Sequence, residues 1–141
     1  MIALDTNILI YVHRSGVPEH RAARRAIEEV AGSAGGWGIP FPCIAEFWAV
    51  VTHPTSSGRP SRPLEAQRFL ENLKEAGAKI LYPRDGAMAR LTKLAVRLNV
   101  RGARIFDLQI GFTCLEAGAR EIWSHDRNFI AVPGIVVTDP L

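Results

Sequence analysis

Met1-Ile2-Ala3-Leu4-Asp5-Thr6-Asn7 is the stretch on which the fold turns. A short apolar run ends in a carboxylate, and Ile8-Leu9-Ile10-Tyr11-Val12 follows at once. This reads as a buried first strand, Ile2 to Leu4, with Asp5 at its carboxyl end. Thr6 or Asn7 is then expected to cap a short helix by accepting an otherwise orphaned backbone N–H. Ligands of open α/β sheets bind at the carboxyl ends of strands. Asp5 is the only Asp, Glu, Lys or Arg before residue 14. Such a carboxylate is costly unless it is paired, hydrogen-bonded or holding a metal.

Three more acids share this isolation. Glu46, in Cys43-Ile44-Ala45-Glu46-Phe47-Trp48-Ala49, is the only charge between Glu29 and Arg59. Asp107, in Ile105-Phe106-Asp107-Leu108-Gln109-Ile110, is the only one between Arg104 and Glu116. Asp126 leaves the apolar run Ile122-Trp123 through Ser124-His125. Bland readings exist: a wet stripe for Glu46, and an i, i+3 pair with Arg104 for Asp107. Four isolated basic residues to match them are not found. Together, Asp5, Glu46, Asp107 and Asp126 make a hard-oxygen set suited to Mg2+ or Mn2+. Two such ions about 3.5–4 Å apart activate a water and stabilise the leaving oxygen of a phosphodiester. Asn7 and Ser124 are expected to orient the ligands or bind metal water. His125 reads as exposed rather than catalytic.

The rest of the chain is consistent with one α/β unit over residues 1–141. A helix is expected from Pro18-Glu19-His20 to about Val30, with Ala22, Ala23, Ala26, Ile27 and Val30 inward. The Gly-rich run from Gly32 to Gly38 lacks a Gly-Lys-Ser/Thr ending and reads as a turn. Gly38 to Pro40 is a second strand, and a helix follows from near Pro42 to His53. Thr55 to Pro63 is an exposed loop, with a helix from Leu64 to Ala76 after it. Lys79 to Tyr82 is a third strand. Asp85 is expected to cap a helix through Leu98, with Met88, Leu91, Ala95 and Leu98 as its core face. A buried helix from about Arg104 ends at Gly118. Glu121 to Ser124 and Ile135 to Val137 are the last strands. Strands alternating with helices, short and apolar, call for a mainly parallel sheet covered on both faces.

Composition narrows the classes. With 48% apolar and 22% charged residues, the chain is an ordinary globular one. No apolar run reaches the roughly 20 residues of a membrane span. No basic segment precedes the first apolar run, which Asp5 interrupts, so no signal peptide is expected and the location reads as cytoplasmic. Cys43 and Cys114 fit reduced thiols in apolar helices, and no zinc spacing occurs. The formal net charge is +3, from 17 basic and 14 acidic residues. Setting aside four metal-bound acids leaves 17 − 10 = +7 on the exterior. A basic, arginine-rich surface around an acidic pit suits a polyanion.

In order, these marks resemble those of PIN-domain ribonucleases, and of VapC-type toxins of bacterial toxin–antitoxin pairs in particular. They are apolar-Asp5-Thr6-Asn7, the helical Glu46, Phe106-Asp107-Leu108-Gln109-Ile110, and Ser124-His125-Asp126-Arg127-Asn128-Phe129 before Pro133-Gly134-Ile135. The resemblance runs from Met1 to Pro140. It implies a three-layer α/β/α fold around a sheet of about five short strands, and Mg2+ or Mn2+ held by Asp5, Glu46, Asp107 and Asp126. It implies endonucleolytic cleavage of RNA by a metal-activated water, a homodimer, and a small antitoxin whose tail covers the acidic site. Thr6, Asn7, Ser124 and Asn128 are the expected supports of the acids, and Arg14, Arg59, Arg62 and Arg127 the expected RNA contacts. The family commonly has Thr at the position of Ser124, and often an acid or other polar residue at that of Asn128. The second departure bears on a second metal.

Competing readings are a PIN-like module that binds without cutting, a phospho-receiver domain and a haloacid-type phosphatase. A receiver needs a late Lys, and none follows Lys93. The phosphatase needs Asp-x-Asp at the first strand, where Asn7 holds the second position.

Overall fold

The computed structural model describes residues 1–55 and 58–141. Ser56 and Ser57, in the expected loop, lie outside the described residues. The order is β1 (Ile2–Leu4), α1 (Thr6–His13), α2 (His20–Ala31), β2 (Trp37–Pro40), α3 (Phe41–Thr52) and α4 (Pro63–Glu75). Then come β3 (Lys79–Leu81), α5 (Ala87–Arg97), α6 (Arg104–Glu116), β4 (Glu121–Trp123) and β5 (Val136–Thr138). The strands form one sheet in the order β3-β2-β1-β4-β5, with every pairing parallel.

The architecture is three-layer α/β/α. All four residues of β2 are buried, so both faces of the sheet are covered there. This is why the strands are apolar runs rather than alternating ones. One core joins Leu4, Ile39 and Ile122 of the sheet to Ile8, Val30, Phe47, Leu73 and Cys114 of the helices. A smaller cluster of Leu108, Ile130 and Val132 takes Leu91, Leu94, Ala95 and Leu98 of α5. Both cysteines are free and buried. Among the described residues, no helix is long and apolar enough to cross a membrane.

Sheet topology selects the site. From β1 the chain steps to β2 and β3 on one side, and later to β4 and β5 on the other. The crevice between β1 and β4 is therefore the switch point, where diverging connections leave room beyond the strand ends. Leu4 pairs with Trp123, and the Asp5 N–H continues the ladder to the Trp123 carbonyl at 3.0 Å. Asp5 and Ser124 thus leave the sheet side by side.

Several local expectations are corrected. Asp5, rather than Thr6 or Asn7, caps α1: its backbone is extended and its Oδ1 accepts from the Thr6 N–H at 2.7 Å. The helix begins one residue earlier than expected, which moves the cap back onto the acid. Asp85 caps nothing. Gly86, at φ 73°, precedes α5 without a side-chain cap. Met88 is 78% exposed and drops out of the α5 core face, since it lies in a first turn that overhangs the second cluster. The buried face of α6 starts at Leu108, while Phe106 in the first turn is 63% exposed.

Candidate active site

Asp5, Thr6, Asn7, Ile10, Tyr11, Glu46, Asp107, Ile110, His125 and Asp126 line one cleft of about 370 Å3. β1 and its junction with α1 supply the floor, α3 brings Glu46, the first turn of α6 brings Asp107, and the exit of β4 brings His125 and Asp126. The four isolated acids, up to 121 residues apart in the chain (126 − 5), therefore face the same space.

At its centre is a hydrogen-bonded seam between the two strand ends. The Ser124 hydroxyl donates to Asp5 Oδ2 at 2.6 Å. It accepts from Asn7 Nδ2 at 3.0 Å and from the Asp126 N–H at 3.1 Å. Asn7 Nδ2 also donates to Asp5 Oδ2 at 2.7 Å, and Asn7 Oδ1 accepts from the His125 N–H at 3.0 Å. The Thr6 hydroxyl donates to Glu46 Oε2 at 2.8 Å. Thr6, Asn7 and Ser124 thus fix Asp5 and Glu46 without contributing charge. Asn128 acts through its backbone, donating its N–H to Asp126 Oδ1 at 2.8 Å.

Burial differs among the acids, and this corrects the expectation of four desolvated carboxylates. Asp5 is 5% exposed, Asp107 is half-buried, and Glu46 and Asp126 are exposed. An apolar sequence neighbourhood marked the edge of an open cleft as readily as an interior. Burial pushes the Asp5 carboxyl up to about 6, helped by Glu46 and Asp107 and opposed by the bonds from Ser124 and Thr6. Asp107 is raised by burial and by Asp126, with Arg104 opposing. The bland alternative, an Arg104–Asp107 ion pair, is not formed among the described residues. Arg104 Nη2 donates instead to the Asn128 carbonyl at 3.2 Å.

None of the four acids has a salt-bridge partner among the described residues. Nor do three or more His, Cys, Asp or Glu side chains there form a finished metal cage. The four acids line one cleft without closing on a single point. In chemistry the donor set fits a hard divalent ion: carboxylate oxygens only, partly desolvated and not neutralised by a protein cation.

Three of the four arginines, Arg14, Arg59 and Arg62, lie away from the cleft. Arg14 donates to the carbonyls of Arg59 and Val51 at 2.6 and 2.8 Å. Arg59 pairs with Glu65 at 2.8 Å, and Arg62 gives its backbone N–H to the same Glu65. Arg14 and Arg59 line a separate cavity of about 460 Å3 with His13, Ser61 and Glu65. Arg127 is exposed, next to Asp126. Sequence reasoning passed over Tyr11 and the walls Ile10 and Ile110, and it read His125 as exposed, whereas His125 is half-buried and lines the cleft. The signal for His125 was its place beside Asp126 on the strand exit.

A PIN domain, defined by this sheet and this cleft, is what the family comparison returns. The PIN domain model matches residues 2–135, and the chain belongs to that family. A named relative is VapC ribonuclease Mb2897 of Mycobacterium bovis, 30% identical over 130 residues, or 92% of this chain and 88% of that protein. Among solved structures, the chain resembles VapC20 of Mycobacterium tuberculosis, described as a Sarcin-Ricin loop cleaving toxin, at TM-score 0.68 and 14% identity over 92% of each chain. It also resembles VapBC2 from Rickettsia felis, bound to a DNA fragment from their promoter, at TM-score 0.70 and 17% identity over 98% of each chain. At these identities the two structures speak to the fold.

Proposed function

We propose that this chain is a metal-dependent endoribonuclease and the toxin of a toxin–antitoxin pair. The observation that carries the reading is the convergence of Asp5, Glu46, Asp107 and Asp126 on one cleft, with no basic residue paired to them among the described residues. A ribonuclease relative at 30% identity over most of the chain supports the substrate class. Those four acids would hold Mg2+ or Mn2+. When bound, the cation supplies a nucleophilic water at neutral pH and charge stabilisation for the phosphodiester. The chain's own residues do the positioning. Ser124, Asn7 and the Thr6 N–H hold Asp5 in one rotamer, and Thr6 holds Glu46. Ile10 and Ile110 narrow access for bulk water.

A cytoplasmic location, a homodimer and a small antitoxin covering the acidic cleft belong to the same proposal. Exposed Phe41 and Phe106 line a groove that shares Glu46 and Ile110 with the acidic cleft, and Tyr82 meets the Phe41 ring at 5.0 Å; exposed aromatic side chains grouped in this way support a protein partner.

The test is cleavage of a structured RNA pool by antitoxin-free protein with Mg2+, with Mn2+ and with a chelator, beside Asp107→Asn. Cutting is expected with either metal, absent with the chelator, and reduced in the variant by about 100-fold or more, beyond the 10–100-fold that losing a group behind a metal ligand costs. Chelator-resistant cutting, or an Asp107→Asn protein as active as wild type, would overturn it.

A further inference from the structure

We propose that the groove between α3 and α6 seats an unpaired nucleobase of the RNA strand beside the cut phosphodiester, stacked on Phe41 and Phe106 and read on its edge by Gln109. The assignment rests on the ribonuclease reading above and names the part of the strand that the site selects.

The groove, about 450 Å3, is lined by these two helices alone among the described residues, and it adjoins the acidic cleft. Helical geometry lets each helix serve both spaces. At about 100° per residue, Ile110 falls between Phe106 on one side and Asp107 on the other, and Gln109 lies beyond Phe106. Ile110 lines groove and cleft alike, as that order requires. Around α3 the order is Phe41, Ala45, Pro42, Glu46, and Glu46 is the residue shared with the cleft. A strand with one phosphate at the acids therefore passes its neighbouring nucleotide over the groove.

The lining suits a base better than any other part of that nucleotide. Phe41 and Phe106 are 51% and 63% exposed. Tyr82 lies against Phe41 with ring centroids 5.0 Å apart and planes at 31°, so one ring backs another. Exposed flat rings of this kind stack with bases. A phosphate is disfavoured, because the only charged side chain among the described lining is the Glu46 carboxylate. Gln109 supplies the polar end. It is exposed, and its side-chain amide makes no hydrogen bond among the described residues, which leaves a carbonyl acceptor and an NH2 donor for a base edge. Paired bases are stacked inside their helix, so the groove takes a base only from a loop, a bulge or an end. A protein inhibitor lying over the same rings would exclude the base.

The experiment uses an RNA oligonucleotide spanning a bond that the wild type cuts, and copies with one abasic ribose at each of the two nucleotides on either side of that bond. kcat/KM is measured for wild type, Phe41→Ala, Phe106→Ala, Phe106→Trp and Gln109→Ala, with the fold of each checked by thermal unfolding. One abasic position is expected to slow the wild type about tenfold or more, and the others about twofold or less. In Phe106→Ala the intact RNA is cut about tenfold more slowly, the penalty at that one position falls below about threefold, and Phe106→Trp restores it. A loss of structure would instead lower every rate and leave the penalty in place. Phe41→Ala is expected to act in the same direction, and it carries the test should Phe106→Ala fail to fold. Gln109→Ala is expected to level the rates among copies bearing each of the four bases at the sensitive position; an unchanged preference overturns the edge reading. The same abasic penalty in wild type and both Phe→Ala variants overturns the assignment, as does equal cutting of every abasic copy by the wild type. Either result leaves the ribonuclease reading standing and the groove to a protein partner alone. No cutting by the wild type with Mg2+ or Mn2+ removes both.

Discussion

Asp5 carries three duties at once: it ends a strand, caps a helix and faces the cleft. The cap bond and the Ser124 bond favour its ionised form, yet burial outweighs them. A carboxyl that holds its proton more tightly folded than unfolded stabilises the fold below pH about 4. That contribution is lost as pH rises through about 6. A two-unit shift corresponds to roughly 3 kcal/mol. In metal-free protein, denaturant titrations between pH 4 and pH 7 should therefore show wild type losing about 2–3 kcal/mol relative to Asp5→Asn. Parallel stability curves for the two proteins would mean that Asp5 is solvated. Ser124→Ala is expected to cost about 1–3 kcal/mol, because Asp5, Asn7 and the Asp126 N–H each lose a partner on one hydroxyl. Chemical unfolding at pH 7 measures it. Asp5 was legible because a lone charge in an apolar run needs a reason. What the sequence hid was the third dimension of Glu46 and Asp126: their apolar neighbours Phe47, Ile122 and Trp123 lie in the core, while the two acids face an open cleft.

Elements, more than single contacts, hold the cleft walls. Glu116 at the end of α6 accepts from Arg84 at 2.9 Å and from Arg90 at 2.6 Å, tying α6 to α5 and to the segment after β3. The bonds from Arg84 and Arg90 hold its carboxyl down to about 2. A depressed carboxyl stabilises above its unfolded value, and this is lost as pH falls from about 4.5 towards 2. Glu116→Gln should lower the melting temperature at pH 7 and narrow its gap from wild type at pH 3. A gap independent of pH would show that packing, rather than charge, ties these elements. Gly38 in β2 admits no side chain: a Cβ there would lie 2.7 Å from the Lys79 carbonyl oxygen and 2.7 Å from Leu81 Cδ2. Gly38→Ala forces β2 from β3 and is expected to destabilise by about 1–3 kcal/mol in a urea titration. Strand periodicity cannot reveal this, because Gly38 simply read as part of a short apolar strand. The α5 core face erred for a related reason. Period 3.6 assigns a face but not where the neighbour beneath it ends, and Met88 overhangs that end.

For the whole molecule, order and type of elements were readable from the apolar runs and their breaks. The switch between β1 and β4 was not, because strand order depends on pairings that leave no local trace. Charge acts at this scale too. A basic exterior around an acidic cleft predicts RNA binding that weakens about tenfold between 50 and 200 mM salt. Fluorescence anisotropy with a labelled RNA in Ca2+ would read it, and salt-independent binding would place recognition in the cleft alone.

The seam joining Asp5 and Asn7 to Ser124 and His125 has a consequence for synthesis. Its two halves are separated by 119 residues of chain, from Asp5 to Ser124, and Asp126 stands just beyond the later one. A chain still on the ribosome with β4 inside the exit tunnel has a first strand, a capped helix and no cleft. The proposed activity therefore switches on only once β4 has left the tunnel, and no truncated product ending before β4 can carry it. A cell making a protein of this kind has, in the order of the strands alone, an interval in which an inhibitor can already be waiting.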